Sequence, residues 1–281
     1  MKGNKFNIRL YNNHSIKVKH MAVMYKMIFA SRAITLLFLF ISMHAFSQSK
    51  TGYSLVWEDK FNGKSLDTSD WSHETADPGW VNNELQRYTN ENIKLSDGKL
   101  LIIAKNENNE YTSARLITKG KRTFTYGLFE IKAKIPSGTG TWPALWMLGQ
   151  NIDKVGWPAC GELDIMEHVG KHPNFIHSTV HNKSGYGNTP YTGILEIQNP
   201  FDEFHIYGME WTKEFISFYI DGNLVYKYNP ELRNPDTWPF DKPFFLIFNI
   251  AIGGDWGGPD VDEKLFPATM TVDWVKVYQK K

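Results

Sequence analysis

From residue 50 onward the chain reads as short runs in which apolar and polar positions alternate, broken every ten residues or so by turn residues. The run GKLLIIAKN follows Asp97-Gly98, a dipeptide suited to a two-residue hairpin turn. TYGLFEIKAKIP sets Leu128, Glu130, Lys132 and Lys134 against Phe129, Ile131, Ala133 and Ile135. That alternation predicts a half-buried strand ended by Pro136 and Ser137-Gly138. FISFYIDGNLVYKY is two alternating runs around Asp221-Gly222, the clearest hairpin in the chain. KPFFLIFNIAIGG predicts a fully buried strand stopped by Gly253-Gly254, and TMTVDWVKVYQK alternates to the C-terminus. No stretch carries a sustained helical repeat, and no linker or internal repeat divides the chain. The pattern predicts one all-β domain of two stacked antiparallel sheets.

The first 47 residues differ from the rest. They hold seven basic residues and no Asp or Glu, and an apolar run, Ala33 to Met43, follows Lys26 and Arg32. The run is too short to span a bilayer, which takes about 20 residues, and fits the apolar segment of a secretory signal. Ala45 and Ser47 place cleavage before Gln48, and Met21, Met24 and Met27 are alternative starts. We therefore expect residues 1–47 to be an N-terminal extension with a signal peptide and residues 48–281 to be the functional domain. The expected location is secreted or periplasmic, with no stable membrane association. Without the extension, 24 of the 31 basic residues face all 30 acidic ones. An acidic balance argues against nucleic acid as a partner. Cys160 is the single cysteine, so no intrachain disulfide forms; by strand parity it shares a face with Glu162 as a small buried filler.

The candidate chemistry lies in GELDIMEHVG, Gly161 to Gly170. In a regular strand Glu162 and Asp164 share a face and Glu167 points the other way. One extra residue at Ile165-Met166, a β-bulge, would return Glu167 to the face of Glu162. The two glutamates would then stand roughly 13 Å apart at Cα, and inward-leaning arms can bring the carboxyls to the ~5–5.5 Å used by retaining glycosidases. Three carboxylates this close cannot all ionise at ordinary pH, so at least one keeps its proton. Spacing alone leaves three readings open: a catalytic pair with a helper, a solvated acidic face, or a calcium site.

Several stretches together resemble glycoside hydrolase family sixteen in its bulged, laminarinase-like form. They are GELDIMEHVG, NNELQRYT, YGLFEIKAKIPSGTGTWPALWML, FHIYGMEW, FFLIFNIAIGGDWGG and TVDWVKVYQ. The resemblance implies a β-jelly roll with a substrate cleft, Glu162 as nucleophile, Glu167 as general acid/base and Asp164 as their helper. It implies retaining, endo-acting cleavage of β-1,3-glucan, with mixed 1,3-1,4 glucan as a further substrate, by a monomer. The alternatives are a relative acting on an algal galactan and a non-hydrolytic β-glucan-binding protein. Matching cleft positions are Trp142, Trp146 and Trp256, with Asn83, Arg115 and His181 as polar partners. Trp80 and Trp238 are expected at outer subsites, and Trp57, Trp211 and Trp274 in the core. The family pattern also implies one structural calcium ion held by Glu58, the Gly98 carbonyl and Asp273, with no cofactor needed for the chemistry. Asp255 and Arg87 depart from the family's usual residues near the cleft.

Overall fold

The computed structural model describes residues 50–281; the expected export segment lies outside the described residues. The strands run β1 (Tyr53–Asp59), β2 (Ser72–His73), β3 (Arg87–Tyr88), β4 (Ile93–Ser96), β5 (Lys99–Glu107), β6 (Glu110–Ser113), β7 (Arg115–Ile117), β8 (Gly127–Lys134) and β9 (Thr141–Gly149). They continue as β10 (Glu162–His168), β11 (Phe175–His181), β12 (Thr192–Glu196), β13 (His205–Trp211), β14 (Ile216–Ile220), β15 (Asn223–Tyr228), β16 (Phe244–Ile252) and β17 (Ala268–Lys280). Single-turn helices α1 (Ile152–Val155) and α2 (Gly254–Gly257) sit in loops.

The strands form two sheets. One has the order β15-β14-β13-β8-β17-β5-β6-β3, with β1 on β17 and β4 on β5; the other is β12-β11-β10-β9-β16-β7-β2. All pairings between these strands are antiparallel except the short β3–β6 contact. This is the expected all-β jelly-roll sandwich. The hairpins form where turn chemistry places them: Asp97 and Gly98 join β4 to β5, and Asp221 and Gly222 join β14 to β15, all with positive φ.

The core lies between the sheets. Phe129, Ile131 and Ala133 of β8 pack in one cluster with Leu145 and Met147 of β9, Leu163 of β10, and Phe244, Leu246, Phe248 and Ile250 of β16. Strand β16 is buried at all nine positions, which explains its unbroken apolar run. Its alternate residues face the cleft, where Phe245 and Ile247 join Ile117, Leu148 and Cys160 in a second cluster packed against Ile152 of α1. Cys160 is thus the buried filler its parity indicated. Strand β8 is more buried than its alternation implied, because β13 and β17 flank it and both Leu128 and Glu130 are covered.

Trp57 and Trp211 are core residues, as expected. Trp274 is only half-buried, with Lys276 Nζ 4.3 Å above its ring. Trp238 is not an outer subsite: it is buried, stacked parallel on Tyr228 at 6.0 Å and capped by Arg233. Its loop position in the sequence concealed that packing.

Candidate active site

The extra residue is present in β10. On the β9 side, Asp164 pairs with Trp146 and Met166 with Leu145, a shift of register between them. On the β11 side, Asp164 pairs with Thr179 and Glu167 with His177, with the same one-residue slip. Ile165 and Met166 are both fully buried in the core, so the bulge sends two consecutive apolar side chains inward. The consequence is that Glu162, Asp164 and Glu167 all line one cavity of about 320 Å³. At the start of the strand, Gly161 has φ +79, and a Cβ there would crowd Phe240 and Pro239 at 2.9 Å.

Each glutamate receives an indole proton. Trp157 Nε1 donates to Glu162 Oε2 at 2.8 Å, and Trp142 Nε1 donates to Glu167 Oε1 at 3.0 Å. His181 Nε2 lies 3.2 Å from Asp164 Oδ2 and 3.8 Å from Glu162 Oε1. The nearer approach lacks hydrogen-bond alignment and leaves Asp164 Oδ2 unsatisfied. Burial is the main reason the carboxyls hold their protons. Glu162 and Glu167 are each pushed up to about 8 by desolvation and by the neighbouring Asp164 charge, partly offset by His181 and their indole donors. Burial pushes Asp164 well above the usual carboxylate range, and a hydrogen bond with Glu162 opposes it. Two carboxyls can share a hydrogen bond only if one is protonated, so Asp164 is a proton partner for Glu162.

Aromatic and polar side chains complete the cleft. Trp80, Trp142, Trp146 and Trp157 line it together with Glu84, Arg115 and Asn249. Arg115 donates to Glu74 at 2.6 Å, and its guanidinium lies 4.7 Å from the Trp146 ring centre and 5.1 Å from that of Trp80. Trp256 stands edge-on to Trp142 at 5.3 Å and to His177 at 4.9 Å. Asn83 reaches across the rim and donates to Asp255 at 2.8 Å. The approach is close: Asp255 N donates to Asn82 O at 2.8 Å, and a Cβ on Gly254 would lie 2.6 Å from that oxygen.

The cleft and its acids sit on a fold that a family model covers from residue 76 to residue 276, described as glycosyl hydrolases family 16. The chain belongs to this family. It is 46% identical over 245 residues to a beta-glucanase of Rhodothermus marinus, covering 81% of this chain and 85% of that protein. It is 38% identical to glucan endo-1,3-beta-glucosidase A1 of Niallia circulans, over 82% of this chain and 38% of that longer protein. The crystal structure of a laminarinase from Flavobacterium sp. UMI-01 superposes with a TM-score of 0.79 at 48% identity, covering 80% of this chain and all of that one.

Of the residues expected at the site, the structure brings Glu162, Asp164, Glu167, Arg115, Trp142 and Trp146 to the cavity wall and His181 against the acids. Asn83 and Trp256 are not among the cavity's lining residues; they contact Asp255 and Trp142. Reading the sequence missed Trp157, Glu84 and Asn249. Trp157 had a signal, an aromatic five residues before Glu162 in a Gly-Trp-Pro turn. Arg87 is engaged away from the cavity, with Asp77 and Glu110. Glu162, Asp164 and His181 could also hold a cation, since one ligand atom from each falls within 4.8 Å of the others; a metal there would tie up Glu162 and Asp164.

The implied calcium ligands lie on neighbouring strands of the other sheet. Glu58 is on β1, Asp273 sits at a register slip of β17 between Val272 and Trp274, and Gly98 precedes β5. Two carboxylates and a carbonyl are the oxygen donors that calcium prefers. Glu58 engages Lys60 at 2.9 Å and Asp273 engages Lys132 at 2.8 Å. A cation would therefore replace these ammonium partners.

Proposed function

We propose that the chain is an endo-acting, retaining β-1,3-glucanase of the laminarinase type that also accepts mixed 1,3-1,4 glucan. The observation that carries this reading is the bulge at Ile165-Met166, which sets Glu167 beside Glu162 in a tryptophan-lined cleft. Glu162 is the nucleophile. It accepts the Trp157 indole proton and has His181 nearby, both of which favour its ionised form against burial and the Asp164 charge. Glu167, raised by burial, is the proton donor.

In the first step a Glu162 oxygen attacks the anomeric carbon while the Glu167 proton moves to the departing glycosidic oxygen. The products are a glycosyl ester on Glu162 and a released chain that carries the glycosidic oxygen as a new hydroxyl. Glu167, now ionised, takes a proton from water, whose oxygen attacks the same carbon and releases Glu162. Two displacements retain the β configuration. Sugar rings present apolar C–H faces to Trp142 and Trp146, while Arg115 supplies donors for hydroxyls.

The open cleft supports internal cleavage of a polymer. A calcium ion held by Glu58, the Gly98 carbonyl and Asp273 belongs to the same proposal, as a link between β1, the β4–β5 turn and β17 with no part in the chemistry. So do export through residues 1–47 and action as a monomer. Reducing-sugar release from laminarin, lichenan and agarose in parallel tests the assignment. The reading expects laminarin to be cut fastest, agarose to be untouched and Glu162→Gln to abolish turnover while substrate still binds. Release from agarose alone would overturn it.

A further inference from the structure

The cleft floor holds a run of hydrogen bonds whose direction is forced. An indole N–H can only donate. Trp146 Nε1 donates to Asn249 Oδ1 at 2.7 Å, which fixes the Asn249 amide with Nδ2 turned away. That Nδ2 donates to Tyr88 Oη at 3.1 Å. With one oxygen lone pair so engaged, Tyr88 passes its own proton to Glu84 Oε2 at 3.1 Å. Glu84 ends the run. Its Oε2 also accepts from Gln86 Nε2 at 2.7 Å and its Oε1 from Asn82 Nδ2 at 3.1 Å. Its two acceptor oxygens satisfy all three donors at once.

The run leads from β9 to its neighbour β16 in one sheet, then to Tyr88 on β3 at the edge of the other sheet and to Glu84 just before β3, joining residues 62 positions apart in sequence at its two ends. Glu84, Tyr88 and Asn249 are 6%, 2% and 5% exposed, so no link is replaced by bulk water. The Glu84 backbone is also bridged to Gly253, and Gln86 accepts from Ile252 N at 2.7 Å, which anchors the terminus to the end of β16. A buried polar network that is fully satisfied makes its members rigid.

We propose that Glu84 is a positioning residue. Acting through Tyr88 and Asn249, it fixes the ring plane of Trp146, and with it the sugar platform next to the catalytic acids. The inference rests on the reading of this cleft as a glucan site. Glu84 reaches the substrate's binding energy through the indole, and its loss weakens ground-state binding more than the chemical step. A ring that is free to tilt must be ordered again by each substrate, a cost that appears in KM.

The experiment uses the whole domain labelled with 15N-tryptophan. The Trp146 indole N–H signal is identified by its loss in Trp146→Phe. Tyr88→Phe and, independently, Glu84→Gln are expected to move that signal and speed its exchange with solvent, leaving distant tryptophans such as Trp57 and Trp211 in place. On laminarin, Tyr88→Phe should raise KM by about 2–10-fold with kcat within about 2-fold, the size of one neutral hydrogen bond. In the Trp146→Phe background the same change should leave KM within about 2-fold, since coupled residues are not additive. An unmoved Trp146 signal in both variants, or an equal KM factor in the two backgrounds, would overturn the proposal. Should the wild-type domain fail to cut laminarin, the function assignment falls while the indole signal still decides the relay.

Discussion

In the proposed mechanism Glu162 and Glu167, one residue type, take two roles through their surroundings. Both lie in a cleft that withholds water, and both are pushed up to about 8, yet only Glu162 shares a proton with Asp164. The donor must be protonated to work, so kcat should fall as pH rises through about 8. Glu167→Gln should lower kcat on laminarin by about 10²–10⁴-fold, the usual worth of general acid–base catalysis. On an aryl glucoside with a good leaving group, the first step needs no proton. There Glu167→Gln should accumulate the glycosyl intermediate, visible as a burst, and added azide should speed its breakdown. Asp164→Asn should retain more activity than Glu162→Gln, because it removes a proton partner and not the attacking atom. Equal loss in both, measured as kcat/KM on laminarin, would assign Asp164 a larger part than the geometry supports.

At the scale of the element, the bulge makes a prediction that a regular strand would not. Deleting Met166 leaves acid-x-acid-x-acid, which alternation alone keeps on one face. The register on β9 already resumes after the slip, with Glu167 opposite Ala144, so the shortened strand can still pair. The deletion removes a fully buried Met and should cost stability, about 2–5 kcal/mol if it resembles a large-to-small core change. It should nevertheless fold at low temperature and retain more laminarin turnover than Glu167→Gln. Turnover as low as that of Glu167→Gln would mean the bulge itself, and not the shared face, is what the chemistry needs. Much of this scale was legible beforehand. Alternating runs and Asp-Gly turns report local geometry, so the two hairpins, β16 and the bulge followed from neighbours in sequence. The two-residue strands β2 and β3 did not, because they exist only through partners in distant segments. Glu84 and Asn249 were hidden for the same reason: nothing within a few residues of either shows that Tyr88 joins them. Trp238 was misjudged because a loop position says nothing about which rings cover it.

For the whole molecule, the cleft trades stability for function. Glu162 and Glu167 hold protons to higher pH in the folded chain than they would unfolded, where a glutamate titrates near 4.3. Between that value and about 8 the folded state binds more protons than the unfolded one, so these groups lower stability as pH rises through that window. Glu167→Gln removes one such group. It should raise Tm at pH 8 relative to wild type, by about 2–4 °C for each kcal/mol relieved in a domain of this size, and the gain should vanish near pH 4. A gain of equal size at both pH values would point to packing in place of charge. The calcium proposal also acts on the whole sandwich. EDTA should lower Tm without changing laminarin kcat below the transition, and Asp273→Asn should remove that sensitivity.

The account's central claim is that the inserted residue of β10 sets two glutamates over one glycosidic bond as nucleophile and proton donor. Proton NMR of the first products released from laminarin tests it most directly, read before mutarotation mixes the anomers. The account predicts that the new reducing end appears first as the β-anomer and drifts to equilibrium. Initial appearance of the α-anomer would mean a single displacement by water, and would contradict it.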